Sequence, residues 1–454
     1  MEDLTQGSIP KHLIKLAVPM AMGMLVHTLY LMTDLYFVGQ LGDTSLAGVS
    51  AAANISMFVL ALTQMLNVGT ATLISHAVGR KDQNDANHLF NQSLFISQLL
   101  AIAVLAAGYL LTRPYMDNMT MDPEVKTEGA QYLYYFLPSL ALQFCIVAMT
   151  AAMRGTGIVK PAMQVQMLSL LLNILLTPVL IHGWLTGYAM GTAGAGLASS
   201  LSALFSVLLL WRYFQRMEQY VSVNKVQLKP QLHTWKRLWK IGFPAGAEFF
   251  LMFTYMALVY WAIQGFGASA TAGFGLGSRV MQALLLPAMA IAFALPAVAG
   301  QNYGAQLAHR VKDAFRYALI ISCGLMAGLT LLCLWQPQLL LGSFSDDASV
   351  IAVSTVFLTT ICFNFIPSGI IFSCSGIFQG VGNTWPSLWS SATRLVTFAV
   401  PLMWLTAQPD FYIEQVWYLS VTTVCVQSAL SLFLVRRVLR PLQRDTGSVS
   451  TSAS

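Results

Sequence analysis

The sequence predicts an all-α polytopic membrane protein of twelve transmembrane helices in two six-helix lobes related as parallel repeats. Three observations predict it: long apolar blocks, basic residues confined to alternate loops, and landmarks that recur at one fixed spacing. The 454 residues are 56% apolar and 9% charged, where a soluble domain carries about 25% charged residues. The apolar blocks run to about 20 residues, enough for a helix to cross hydrocarbon and too long for the strands of a membrane barrel.

The spans fall near 13–38, 46–76, 89–112, 130–153, 160–182 and 192–213, then 239–264, 271–299, 314–336, 350–378, 386–407 and 413–435. This divides the chain into a first lobe (1–213), a cytoplasmic linker (214–238), a second lobe (239–435) and a basic, then disordered, cytoplasmic tail (436–454). The amino-terminal stretch carries acidic residues and no small-residue cleavage site, so the first span is expected to remain rather than be removed as a signal peptide.

Of 24 Lys and Arg, 20 lie at the termini, in the linker or in every second loop, and only Arg113 and Lys126 lie in the others. This positive-inside bias places both termini in the cytoplasm of a multi-pass protein of a bacterial inner membrane. It also accounts for the net charge of +6 without a nucleic-acid partner.

Lys11, Lys15 and Pro19 match Lys236, Lys240 and Pro244 at an offset of 225. The same offset carries Gly79 onto Gly304, and Gly155, Gly157 and Pro161 onto Gly380, Gly382 and Pro386. Each half has an even number of spans, so the halves are parallel repeats, an arrangement that places a substrate between them.

The six cysteines sit singly in apolar blocks without a histidine cluster and read as small buried hydrophobes, not a disulfide framework or metal site. There is no GxxxxGK[ST] loop, no HExxH and no GxSxG, so neither ATP use nor hydrolytic catalysis is expected. No catalytic residue and no cofactor are assigned.

Of 18 Asp and Glu, only Asp34 and Glu248 fall within hydrocarbon, where an ionised side chain costs ~2.5–3.5 kcal/mol on insertion scales. Asp34 either snorkels towards water or binds and exchanges a proton or cation. His27 and Tyr30 share its helical stripe at i, i+3 and i+7 and form a proton relay, unless His27 is a buried imidazole bonded to a carbonyl. Pro19, below that stripe, marks a hinge or a static kink. Asn173 and Thr177, one turn apart beside Pro178, complete an ion-coupling site with Asp34. Glu248 neutralises a cationic substrate, binds a second proton, or pairs structurally with Arg279 or Arg394. Asn54, Gln64, Asn67 and Ser199 are helix-stitching polar groups.

Pro19, Thr33-Asp34, Phe37-Val38-Gly39, Ala77-Val78-Gly79, Arg154-Gly155-Thr156-Gly157, Asn173, Pro178 and Gly194-Ala195-Gly196 together resemble the multidrug and toxic compound extrusion family over about residues 10–435. The resemblance implies alternating access and export of small amphipathic, often cationic drugs, by a monomer, against a proton or sodium gradient. Many members carry a second acid just before the span-5 proline, where this chain has Thr177. The alternative is a lipid-linked oligosaccharide flippase of the related superfamily, whose cavity is often strongly basic.

Overall fold

A computed structural model describes residues 2–184, 187–216, 220–341 and 348–441. The described residues form fifteen α-helices and no strand. They are α1 (Ile9–Gly39), α2 (Asp43–Ala53), α3 (Ile55–Gly79), α4 (Gln83–Met119), α5 (Pro123–Gly155), α6 (Lys160–His182) and α7 (Thr192–Arg216), then α8 (Leu232–Ile263), α9 (Ala268–Gly304), α10 (Ala308–Trp335), α11 (Pro337–Leu341), α12 (Ala348–Ile361), α13 (Phe365–Gly380), α14 (Trp385–Thr406) and α15 (Ile413–Leu439). Linker residues 217–219, loop residues 342–347, and Arg444 with the serine-rich tail lie outside the described residues.

Taking 43–79 and 348–380 as single spans, eleven helices are long and apolar enough to cross a membrane. The twelfth expected span is the 22-residue α14, more polar because it carries Arg394 and several Ser and Thr. Two spans are broken. The second expected span is interrupted at Asn54. The tenth relaxes into a 3-10 turn over Cys362–Asn364, just where Pro367 withholds the N–H that would bond Phe363. Thr330 Oγ1 of α10 donates to the Cys362 carbonyl at 3.0 Å. In α5 a proline break is repaired: Pro138 frees the Tyr134 carbonyl, and Tyr109 of α4 donates its hydroxyl to it at 3.1 Å.

The helices divide into two compact units. One comprises residues up to Asp3 with Met22–Gly242, the other Leu4–Ala21 with the described residues from Phe243 onward. In the first, α5 packs on α2, α3, α4 and α7, and α6 packs on α7; in the second, α13 packs on α9, α10 and α15, and α14 packs on α15. These pairings repeat element for element, and the backbone repeats with them. Left-handed residues occur at Gly42 and Gly267, Lys81 and Gln306, and Gly157 and Gly382, each pair 225 residues apart. After α3, Lys81 N–H bonds Val78 O and Asp82 N–H bonds Ala77 O, both at 2.9 Å; after α9, Gln306 N–H bonds Tyr303 O at 3.0 Å and Leu307 N–H bonds Asn302 O at 2.9 Å.

Helix α8 begins at Leu232, earlier than its expected span, because the preceding linker is pinned to α4. Gln92, fully buried, donates to the carbonyls of Gln227 and Lys229 and accepts from Gln231 N–H and Trp235 Nε1. Asn91 donates to Ser222 O and accepts from Asn224 N–H. The opening turns of α8 then lie against α3 at near-backbone distance. A Cβ on Gly69 would sit 2.6 Å from the Leu238 carbonyl oxygen, and one on Gly242 would collide with the Met65 carbonyl.

Overpacking of this kind costs about 1–3 kcal/mol. Gly242→Ala is expected to lower the melting temperature of the detergent-purified protein. Gly324→Ala in α10, where a Cβ meets nothing within 4 Å, is expected to leave it unchanged or raise it.

Candidate functional site

In the first unit, α1, α6 and α7 bring four buried polar side chains together. Asp34 is 6% exposed, and Asn173, Thr177 and Ser199 are fully buried. Ser199 Oγ donates to Asp34 Oδ2 at 2.9 Å, and Asn173 Nδ2 donates to the Tyr30 hydroxyl at 3.3 Å. The remaining oxygens are unsatisfied: Asp34 Oδ1, Asn173 Oδ1 and Thr177 Oγ1 have no hydrogen-bond partner. Both Asn173 and Thr177 lie near enough to the Asp34 carboxylate to interact with it, and Tyr132 of α5 lies within electrostatic reach of Asp34 and Tyr30. One oxygen of the Asp34 carboxylate and two neighbouring oxygens thus gather without partners among the described residues, an arrangement that is costly in a protein interior.

Asp34, Asn173, Thr177 and Tyr30 are thus brought together. His27 is not: it is exposed on α1 and has no hydrogen-bond partner among the described residues. Pro19 is buried but falls with Leu4–Ala21 in the second unit. Ser199, expected only to stitch helices, donates directly to Asp34. Asn67 joins two helices, accepting from Arg154 of α5, whereas Gln64, among the described residues, accepts only from Asn67 of its own helix, at 2.8 Å.

Glu248 occupies a second polar cluster, in the second unit. Ser387 and Ser391 of α14 donate to its two carboxylate oxygens, each at 2.9 Å. Ser375 of α13 lies 3.1 Å from Ser387 Oγ, and Gln427 of α15 donates to Ser391 at 3.3 Å. Neither Arg279 nor Arg394 pairs with Glu248 among the described residues.

The repeat shows that the two clusters are alternatives. At the 225 offset, Asp34, Tyr132, Asn173 and Thr177 become Val259, Phe357, Phe398 and Leu402, all four in one buried apolar cluster with Trp417. In the other direction Glu248 becomes Gly23 and Ser391 becomes Gln166, and a Cβ on Gly23 would sit 2.5 Å from Gln166 Oε1. Each unit is polar where the other is filled.

The MatE family model matches this chain at residues 19–179 and again at 244–405, and the two matches begin 225 residues apart. The chain belongs to the MatE family of transporters. It is a multi-pass membrane transporter and not an enzyme. This MatE protein is 24% identical over 457 residues to the multidrug export protein MepA of Staphylococcus haemolyticus strain JCSC1435, covering 98% of this chain and 97% of the relative. It is 25% identical over 396 residues to the probable multidrug resistance protein NorM of Thermotoga maritima, covering 87% and 85%. Its fold is similar to an outward-facing multidrug resistance MATE transporter of the MOP superfamily, with TM-score 0.89 and 23% identity over 97% of this chain and 98% of that one. It is also similar to a MOP superfamily transporter from Pyrococcus furiosus Vc1, with TM-score 0.88 and 24% identity over 97% and 98%. The binding pocket of that protein has reversed polarity, suggesting a different function.

Losing a hydrogen bond to a buried carboxylate costs about 1–3 kcal/mol. The double variant Ser387→Ala/Ser391→Ala is expected to be destabilised, and less so when Glu248 is also changed to Gln. A double-mutant cycle read by thermal unfolding of the purified protein measures that coupling.

Proposed function

We propose that this chain is a cation-coupled antiporter that exports small amphipathic, often cationic organic compounds by alternating access, as a monomer of the bacterial inner membrane. The relatives bear multidrug export and resistance names, and the chain aligns with them over nearly its whole length. The single observation that carries the coupling is Asp34, a buried carboxylate with one oxygen bonded to Ser199 and the other free. Driven proton entry protonates that carboxylate from one side and releases it to the other, with Tyr30 and Asn173 fixing its surroundings and Pro19 serving as hinge. Protons are the coupling ion on this reading because a single carboxylate suffices to carry one.

Sodium is the second reading, favoured by one specific observation. Asp34 Oδ1, Asn173 Oδ1 and Thr177 Oγ1 are three oxygens without partners, and a hard cation needs several oxygens to replace its water shell. A flippase for lipid-linked oligosaccharides is disfavoured by the scarcity of basic side chains within the spans.

Asp34→Asn keeps the size of the side chain and removes the ionisable group, so the variant is expected to fold, insert and lose coupled export. Substrate movement in proteoliposomes under a pH gradient, free of sodium on both sides, is expected for the wild-type protein and not for the variant. Silence relieved only by sodium overturns the proton assignment, and an Asp34→Asn protein that still exports overturns the site.

The basic-residue bias supports cytoplasmic termini. On a cysteine-free background, Met121→Cys is expected to react with an impermeant maleimide in intact cells, and Val226→Cys only after the membrane is opened. The reverse pattern inverts the topology.

A further inference from the structure

We propose that Arg394 is an anion-recognising residue which, with Glu248 close by, fits the second unit to amphipathic molecules carrying both a cationic and an anionic group. The proposal rests on the export reading and names a substrate class for it.

Arg394 stands on the inward face of α14. Ser387, Ser390, Phe398 and Leu402 are buried on that face, while Trp389, Val396, Val400 and Met403 are exposed on the opposite one, as a period of about 3.6 residues requires. A guanidinium so placed is costly in hydrocarbon and is normally paired. Here the carbon centre of the guanidinium lies 4.2 Å from the Tyr255 ring centroid. Its Nε is buried with no hydrogen-bond partner, and no carboxylate pairs with it among the described residues. Tyr255 is itself held, its hydroxyl 2.7 Å from Ser420 Oγ. Stacking on the ring orients the guanidinium and leaves its hydrogen-bonding edge for a partner, the geometry in which Arg binds a carboxylate or phosphate through two bonds.

Glu248 supplies the opposite charge and is tied to the same helix as Arg394. Ser391, its donor at 2.9 Å, precedes Arg394 by three residues, a rise of about 4.5 Å along the helix. On α8, Glu248 and Tyr255 are seven residues apart and share one face. An acid held by two serines of α14 and a base stacked on a tyrosine of α8, with no ion pair between them among the described residues, thus share the same two helices. The first unit lacks this pair, because the repeat mates of Glu248 and Arg394 are Gly23 and Ser169.

The test uses two dyes that differ in one group: rhodamine 110, with a cationic ring system and a free carboxylate, and its methyl ester rhodamine 123, cationic only. Binding to the full-length protein in detergent is followed by fluorescence polarisation. Arg394→Gln is expected to weaken rhodamine 110 by about tenfold or more, equivalent to ~1.4 kcal/mol, and to leave rhodamine 123 unchanged or tighter. Arg394→Lys, which keeps the charge, is expected to restore part of the rhodamine 110 affinity. Equal losses for both dyes, or no change for either, overturn the proposal. Should neither variant fold, the wild-type protein decides: tighter binding of the acid than of the ester supports it, and equal or weaker binding of the acid overturns it. Chloride that abolishes rhodamine 110 binding reversibly, with full Arg394→Gln affinity for both dyes in gluconate, assigns the site to a free anion and overturns the substrate assignment. Failure of the wild-type protein to bind either dye counts against both this proposal and the export reading; binding without discrimination counts against Arg394 alone.

Discussion

Hydrocarbon solvates neither a peptide group nor a charge, so every polar atom in a membrane span must find its partner within the protein. The rest of this structure follows from that one constraint. Where Pro138 opens the backbone of α5, a side chain from a neighbouring helix closes it, as Tyr109 does for Tyr134, and Thr330 adds a second donor to the Cys362 carbonyl. Against such thorough pairing the exceptions carry information. They gather around Asp34 and include Arg394 Nε, beside scattered hydroxyls such as those of Ser202 and Ser322.

The two units share a backbone and not a chemistry. Their caps, left-handed residues and helix pairings coincide, because these are fixed by turn geometry and by the chain's need to satisfy helix ends. Side chains at equivalent positions have diverged into complementary solutions. The place of the Asp34 site is an aromatic and aliphatic core in the second unit, and the place of Glu248 is a glycine crossed by Gln166. A symmetric frame thus carries asymmetric polar fillings.

Much of this was legible in the sequence because the signals are strong and local. Apolar length gives the spans, the basic residues give the alternation of loops, and the 225-residue offset gives the repeat. Asp34, Asn173 and Thr177 were identifiable because an acid is rare in such segments and an amide and a hydroxyl lie one turn apart beside Pro178. Ser199 was recognisable only as one hydroxyl among many, since its meeting with Asp34 depends on how α7 is rotated against α1. The same holds for Ser387 and Ser391 beneath Glu248. Helix breaks at Asn54 and Cys362–Asn364 were missed because apolar composition runs through them unbroken, and the early start of α8 because polar linker residues are recruited by Asn91 and Gln92 across more than a hundred positions.

The division of the chain has a consequence for how such a molecule arose. Residues Leu4–Ala21 of the first repeat belong with the second unit, and the opening turns of α8, up to Gly242, belong with the first. Each repeat has lent its leading segment to the other, in the manner of a domain swap. Neither repeat, taken alone, contains every segment of its own unit. A half-length product made alone would lack one wall of its own bundle and carry an orphaned helical arm, so two such halves would be driven to assemble by exchanging arms.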